Sequence, residues 1–100
     1  MKFKIKIETG ARKDIQEAIN WYNAKQKGLG KVFHLELINH ISILEMSPYF
    51  SKRYDNVHCL PMKKFPFMIH FTIDDCSKVV IIRAVLHTAI SPQQWKRYNL

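Results

Sequence analysis

Residues 63–95 read KKFPFMIHFTID, DCSK, VVIIRAVLH and TAISPQQW in succession. With a period of two, Phe65, Phe67, Ile69, Phe71 and Ile73 share one strand face, and Met68, His70 and Thr72 share the other. After four polar residues, Val79 to His87 is so rich in β-branched side chains that a strand is expected. Its nearly unbroken apolarity predicts a central strand buried on both faces. The only charge inside this run is Arg83, four residues before His87. Regular alternation puts the two on the same side of the sheet, about 13 Å apart at about 3.3 Å per residue. That pair is the first candidate for a site.

Outward from this hairpin, the remaining sequence alternates between strand and helix patterns. KFKIKIE (2–8) sets Phe3, Ile5 and Ile7 against three lysines, the pattern of a half-buried strand whose lysines either discourage edge pairing or meet a partner. Thr9 suits an N-cap for a helix running to about Lys25. Ala11, Ile15, Ala18, Ile19 and Tyr22 form its stripe, Trp21 widens it, and Asp14 and Glu17 lie near its positive end. KGLGK (27–31) predicts a tight helix–helix connection whose two glycines supply left-handed backbone angles. Lacking the third glycine and a lysine–serine pair, it is not a phosphate-binding loop.

A second helix is expected from Lys31 to about Met46, with Phe33, Leu37, Ile41 and Leu44 as its core stripe and Ile38 at the margin. Val32, Leu35, Ile43 and Met46 fall off that stripe. Either this domain buries them or another chain covers them. His34 and His40 read as exposed helix residues with no metal-ligand spacing. PYFSKRYDN (48–56) reads as a loop that is either an ordinary one with its aromatics tucked under the sheet or, with Lys52 and Arg53 among those aromatics, a candidate nucleic-acid or target surface. Val57 to Met62 reads as a strand near an edge because of Pro61. Ser91 and Pro92 suit the start of a helical turn, and Lys96 and Arg97 extend the basic, aromatic surface.

The composition narrows the function classes. One hundred residues with 47% hydrophobic content make one domain, residues 1–100, and no apolar run reaches the length of a membrane span. With no signal-peptide pattern, a cytoplasmic protein without membrane association is expected. Cys59 and Cys76 lack a CxxC or Cys/His spacing, so free thiols, no metal and no cofactor are expected. A net charge of +8 favours a polyanionic partner, nucleic acid or an acidic protein.

The order strand, αα-hairpin, three strands resembles the RelE/ParE superfamily of type II toxin–antitoxin toxins, and looks closer to its ParE-like branch. The resemblance rests on IQEAINWY (15–22), Gly28-Leu29-Gly30 followed by Phe33, and the loop with Pro48. It rests further on Lys64-Phe65-Pro66-Phe67, and on Ala84-Val85-Leu86-His87 with Pro92 and Trp95. It implies an α+β fold, β-α-α-β-β-β, with the αα-hairpin packed on one face of a small, mainly antiparallel sheet. It also implies a toxin neutralised by an acidic antitoxin that folds onto the apolar residues Val32, Leu35, Ile43 and Met46, and contact with operator DNA only through that antitoxin.

ParE-like members poison DNA gyrase, whereas RelE-like members cut mRNA in the ribosome. Cutting RNA requires an acid, a base and cations around the scissile phosphate. Here those groups would be His87, Arg83 and Lys63 or Lys64. The resemblance to nuclease members is incomplete, because residues 57–73 hold no carboxylate and Thr88, not tyrosine, follows His87. The gyrase-binding reading is therefore preferred, with the mRNA endoribonuclease, or an inactive member that keeps antitoxin binding and autoregulation, as alternatives.

Overall fold

The computed structural model describes residues 2–50 and 52–90. The elements are β1 (Lys4–Ile7), α1 (Thr9–Lys25), α2 (Leu29–Met46), β2 (Lys52–Tyr54), β3 (Val57–Pro61), β4 (Phe67–Asp74) and β5 (Val79–His87). The strands form one sheet in the order β1-β5-β4-β3-β2, with β1 parallel to β5 and every other pair antiparallel. This is the expected α+β arrangement with one more strand. The run 48–56, read as a loop, contributes β2, whose three residues are too few for periodicity to reveal.

Alternation along β4 sends Phe67, Ile69, Phe71 and Ile73 toward the helices, where they meet Tyr22, Phe33, Leu37 and Leu44 in the main core. Phe33 and Tyr22 stack with ring centroids 5.4 Å apart, and Phe65 and Phe67 meet both rings edge-on. The other face is not bare. Cys59, Met68, Ala84 and Leu86 bury one another there, with Tyr54 and Ile90 at their border. Both central strands are thus covered on two sides, as the unbroken apolarity of Val79–His87 predicts.

The αα-hairpin differs in its details from the sequence reading. Of the two connection glycines, only Gly28 has a left-handed backbone (φ 88°). Gly30 lies inside α2, and a Cβ there would sit 2.5 Å from the Ile19 carbonyl oxygen, so its role is close helix approach. Asn23 fixes the same junction by accepting the Gly30 N–H at 2.8 Å. Thr9 is the first helical residue and Glu8 the cap, with no side-chain capping bond, because the Glu8 carboxylate is drawn to Arg83. Trp21 is more than half exposed and does not widen the core stripe. His40 is buried, which corrects its reading as a surface residue. It continues the Phe33, Leu37, Leu44 face, and its Nδ1 is 2.8 Å from the Glu36 carbonyl oxygen. No described helix is long and apolar enough to cross a membrane.

Candidate functional site

Arg83 and His87 are set apart by a change of register. His70 pairs with Ala84, yet the next residue, Phe71, pairs with Ile82, so Arg83 is an extra residue in β5. Such a β-bulge restarts the alternation. Ile82 and Val85 therefore both join the helix-side core, and Ala84 and Leu86 join the opposite cluster. Arg83 points to the helix-free face, where its Nε donates to Thr72 Oγ1 at 3.1 Å and its Nη1 to Glu8 Oε1 at 2.6 Å. His87 lies on the helix side, edge-on to Phe67 at 5.2 Å. The expectation of one shared side fails because an extra residue in a strand leaves no mark on an unbroken apolar run.

The chemistry left to each residue follows from its partners. The Arg83 charge is met by Glu8, which weakens it as a phosphate clamp. His87 Nδ1 accepts the Ala89 N–H at 2.9 Å, which holds the ring in the turn after β5. Lys63 and Lys64 stand exposed at the same end of the sheet as His87, where the Thr88 N–H donates to the Pro66 carbonyl. The Lys64 backbone N–H donates to Glu36 at 2.8 Å, tying that turn to α2. Histidine and lysines are thus neighbours by topology, while Arg83 belongs to the other face.

Three groups on the helix-free face went unnoticed in the sequence, since β3 and β4 are needed to bring them together. The Tyr54 hydroxyl and His70 Nδ1 share a hydrogen bond of 3.0 Å, and Cys59 Sγ is 3.5 Å from the same nitrogen. Burial, then the nearby Arg53 charge, lowers the His70 pKa to about 4, and burial pushes the Cys59 thiol up to about 11. A neutral imidazole beside a protonated thiol is the reverse of a thiolate–imidazolium pair. The cluster is therefore structural. Cys76 is the exposed free thiol. Among the described residues no group of three or more His, Cys, Asp or Glu side chains could hold a metal ion.

Two surfaces remain for recognition. Val32, Leu35, Ile43 and Met46, with Ile38, are 44 to 64% exposed along α2, so this domain does not bury them. Such a run of large apolar side chains marks a contact surface. Lys52 and Arg53 are exposed on the edge strand β2. Lys96 and Arg97, with the expected turn at Ser91 and Pro92, lie outside the described residues.

Asp14, in the second turn of α1, meets the edge of β5. β1 accompanies β5 only as far as Ile82, and beyond it the Asp14 carboxylate accepts the Val85 N–H at 3.1 Å. Asp14 thus serves the strand edge and not the helix dipole, and burial raises its pKa.

No protein-family model matches the chain, and no curated protein matches it. Solved structures do. A chain of the chromosomal ParDE TA system from P. aeruginosa superposes with a TM-score of 0.75 at 13% identity, over 86% of this chain and 96% of that one. A mutant E. coli RelE toxin in its free state gives 0.74 at 13% identity, over 99% and 96%. The toxin–antitoxin complex RelBE2 from Mycobacterium tuberculosis gives 0.63 at 14% identity, over 87% and 99%. Each superposition covers 86% or more of this chain and 96% or more of the other, and this protein has the RelE/ParE toxin fold.

Proposed function

We propose that this protein is the toxin of a type II toxin–antitoxin module, held inactive by an acidic antitoxin and acting by binding and inhibiting DNA gyrase. The fold supports the module, but it does not separate the branches, because the ParDE and RelE superpositions are equally good. One observation carries the choice. The bulge at Arg83 puts the candidate phosphate clamp and the candidate acid–base on opposite faces of the sheet. General acid–base cleavage needs them around one phosphate. A protein that poisons its target by contact needs no such convergence.

The antitoxin reading draws on α2. Val32, Leu35, Ile43 and Met46 offer an apolar strip to a helix or extended segment, and the +8 charge suits an acidic one. Contact with operator DNA would then come only through the antitoxin. Lys52, Arg53, Lys96 and Arg97 are the residues assigned to the target. Purified protein is expected to inhibit gyrase supercoiling and to be relieved by the product of an adjacent short acidic reading frame. Cuts in mRNA at the ribosomal A site, without gyrase inhibition, would transfer the assignment to an endoribonuclease built on His87 with Lys63 or Lys64.

A further inference from the structure

The space between α1 and the unaccompanied half of β5 is a cavity of about 380 Å³, within the size range of small-ligand sites. Most of its wall is apolar, from Phe67, Val85 and Ile90 among others. Its charged lining among the described residues is wholly acidic, Asp14 and Glu17, in a chain whose net charge is +8. Spacings of three and four place Asp14, Glu17 and Trp21 on one face of α1. Two carboxylates that repel one another beside an apolar wall leave a position that a cation would stabilise. Burial raises the Asp14 pKa, the Val85 N–H opposes that rise, and Glu17 adds a smaller one.

The shape of the cation follows from the other walls. An inorganic ion would exchange its water shell for two carboxylates and hydrocarbon, which is unfavourable. An alkyl cation would instead lay its stem on the apolar wall. The Trp21 indole already draws a cation, the Lys25 ammonium lying 4.7 Å from its ring centroid. A planar guanidinium can fork onto a carboxylate and stack on an indole at once. Asp14 spends one oxygen on Val85, leaving the other for a ligand donor.

We propose that this cavity binds an organic monocation with a short apolar stem, an alkylguanidinium above all, with its head between Asp14 and Glu17 and its stem against Phe67, Val85 and Trp21. The site is separate from the α2 strip, and His87 also lines it.

The test is an NMR titration of the full chain with n-butylguanidinium, using n-butanol and butyrate as neutral and anionic probes of equal stem. Saturable shifts at Asp14, Glu17, Val85 and the Trp21 indole N–H are expected with the cation alone. Glu17→Gln should weaken it about tenfold, and Asp14→Asn with Glu17→Gln should abolish it, as for lost hydrogen bonds to charged groups. Asn keeps the acceptor for Val85. Should the double variant unfold, Glu17→Gln on the helix surface carries the test. Capped arginine binding more tightly than n-butylguanidinium would identify a peptide-borne ligand, and the reverse a free one. Equal shifts with butanol or butyrate, no saturable shift, or undiminished binding by Glu17→Gln would overturn the proposal.

Discussion

The two halves of β5 are alike in sequence and different in surroundings. Val79–Ile82 is flanked by β1 on one side and β4 on the other, and follows the alternation of an undisturbed strand. Arg83–His87 has lost β1, contains the extra residue, and donates a hydrogen bond to a helix side chain in place of a strand. The first half is scaffold. The second half sets an arginine on one face and a histidine on the other, and opens a cavity toward α1. A strand's role here is decided by where its neighbour stops, which its own residues do not encode.

The largest expected effect separates the halves directly. Ile82→Ala removes a fully buried side chain held between two strands and should cost about 4 kcal/mol in urea unfolding. Leu86→Ala, in the smaller cluster with one strand neighbour, should cost about 2 kcal/mol because its surroundings can collapse. Equal losses would mean that the missing neighbour does not loosen the second half.

The bulge lies opposite His70, whose pKa near 4 makes it a pH sensor of packing. The folded state disfavours its proton, so its contribution is complete above about pH 6.5 and is lost as pH falls from 6.5 to 4. That is roughly 3 kcal/mol in all. The difference in stability between the native sequence and His70→Asn should shrink over that window, and a difference constant with pH would contradict the burial assigned to His70.

Smaller changes probe the substitute for β1. Asp14→Ala leaves the Val85 N–H without its acceptor and should cost about 1 kcal/mol, whereas Asp14→Asn keeps an acceptor, sheds a half-buried charge and should be neutral or slightly stabilising. Similar losses for both in thermal unfolding would show that the charge, not the cap, matters there. The Glu8–Arg83 pair, about a third exposed, should show a coupling near 0.5 kcal/mol in a double-mutant cycle of Glu8→Gln and Arg83→Gln. A coupling above about 2 kcal/mol would mark Arg83 as more constrained than its exposure allows.

Much of the fold was legible because its signals are periodic. KFKIKIE, the two helical stripes and the Phe65–Ile73 face each declare an element and the side it buries. The errors concern surroundings that local pattern does not show. His40 looks polar in sequence but is buried on the helix face that carries Phe33, Leu37 and Leu44. Asp14 looks like a helix-dipole residue but caps β5, and the helix cap is Glu8, paired with Arg83, and not Thr9. Val32, Leu35, Ile43 and Met46 were recognisable because an apolar residue outside a helix stripe is anomalous without any tertiary information. The separation of Arg83 from His87 was not, since it depends on one unpaired residue between them.

That separation is what the account depends on, and substitution of His87 tests it most directly. Growth arrest by the His87→Ala variant should equal that of the native protein, with antitoxin affinity unchanged, because the ring serves the turn after β5 and no acid–base step. Loss of growth arrest with antitoxin binding intact would contradict the account and make His87 catalytic.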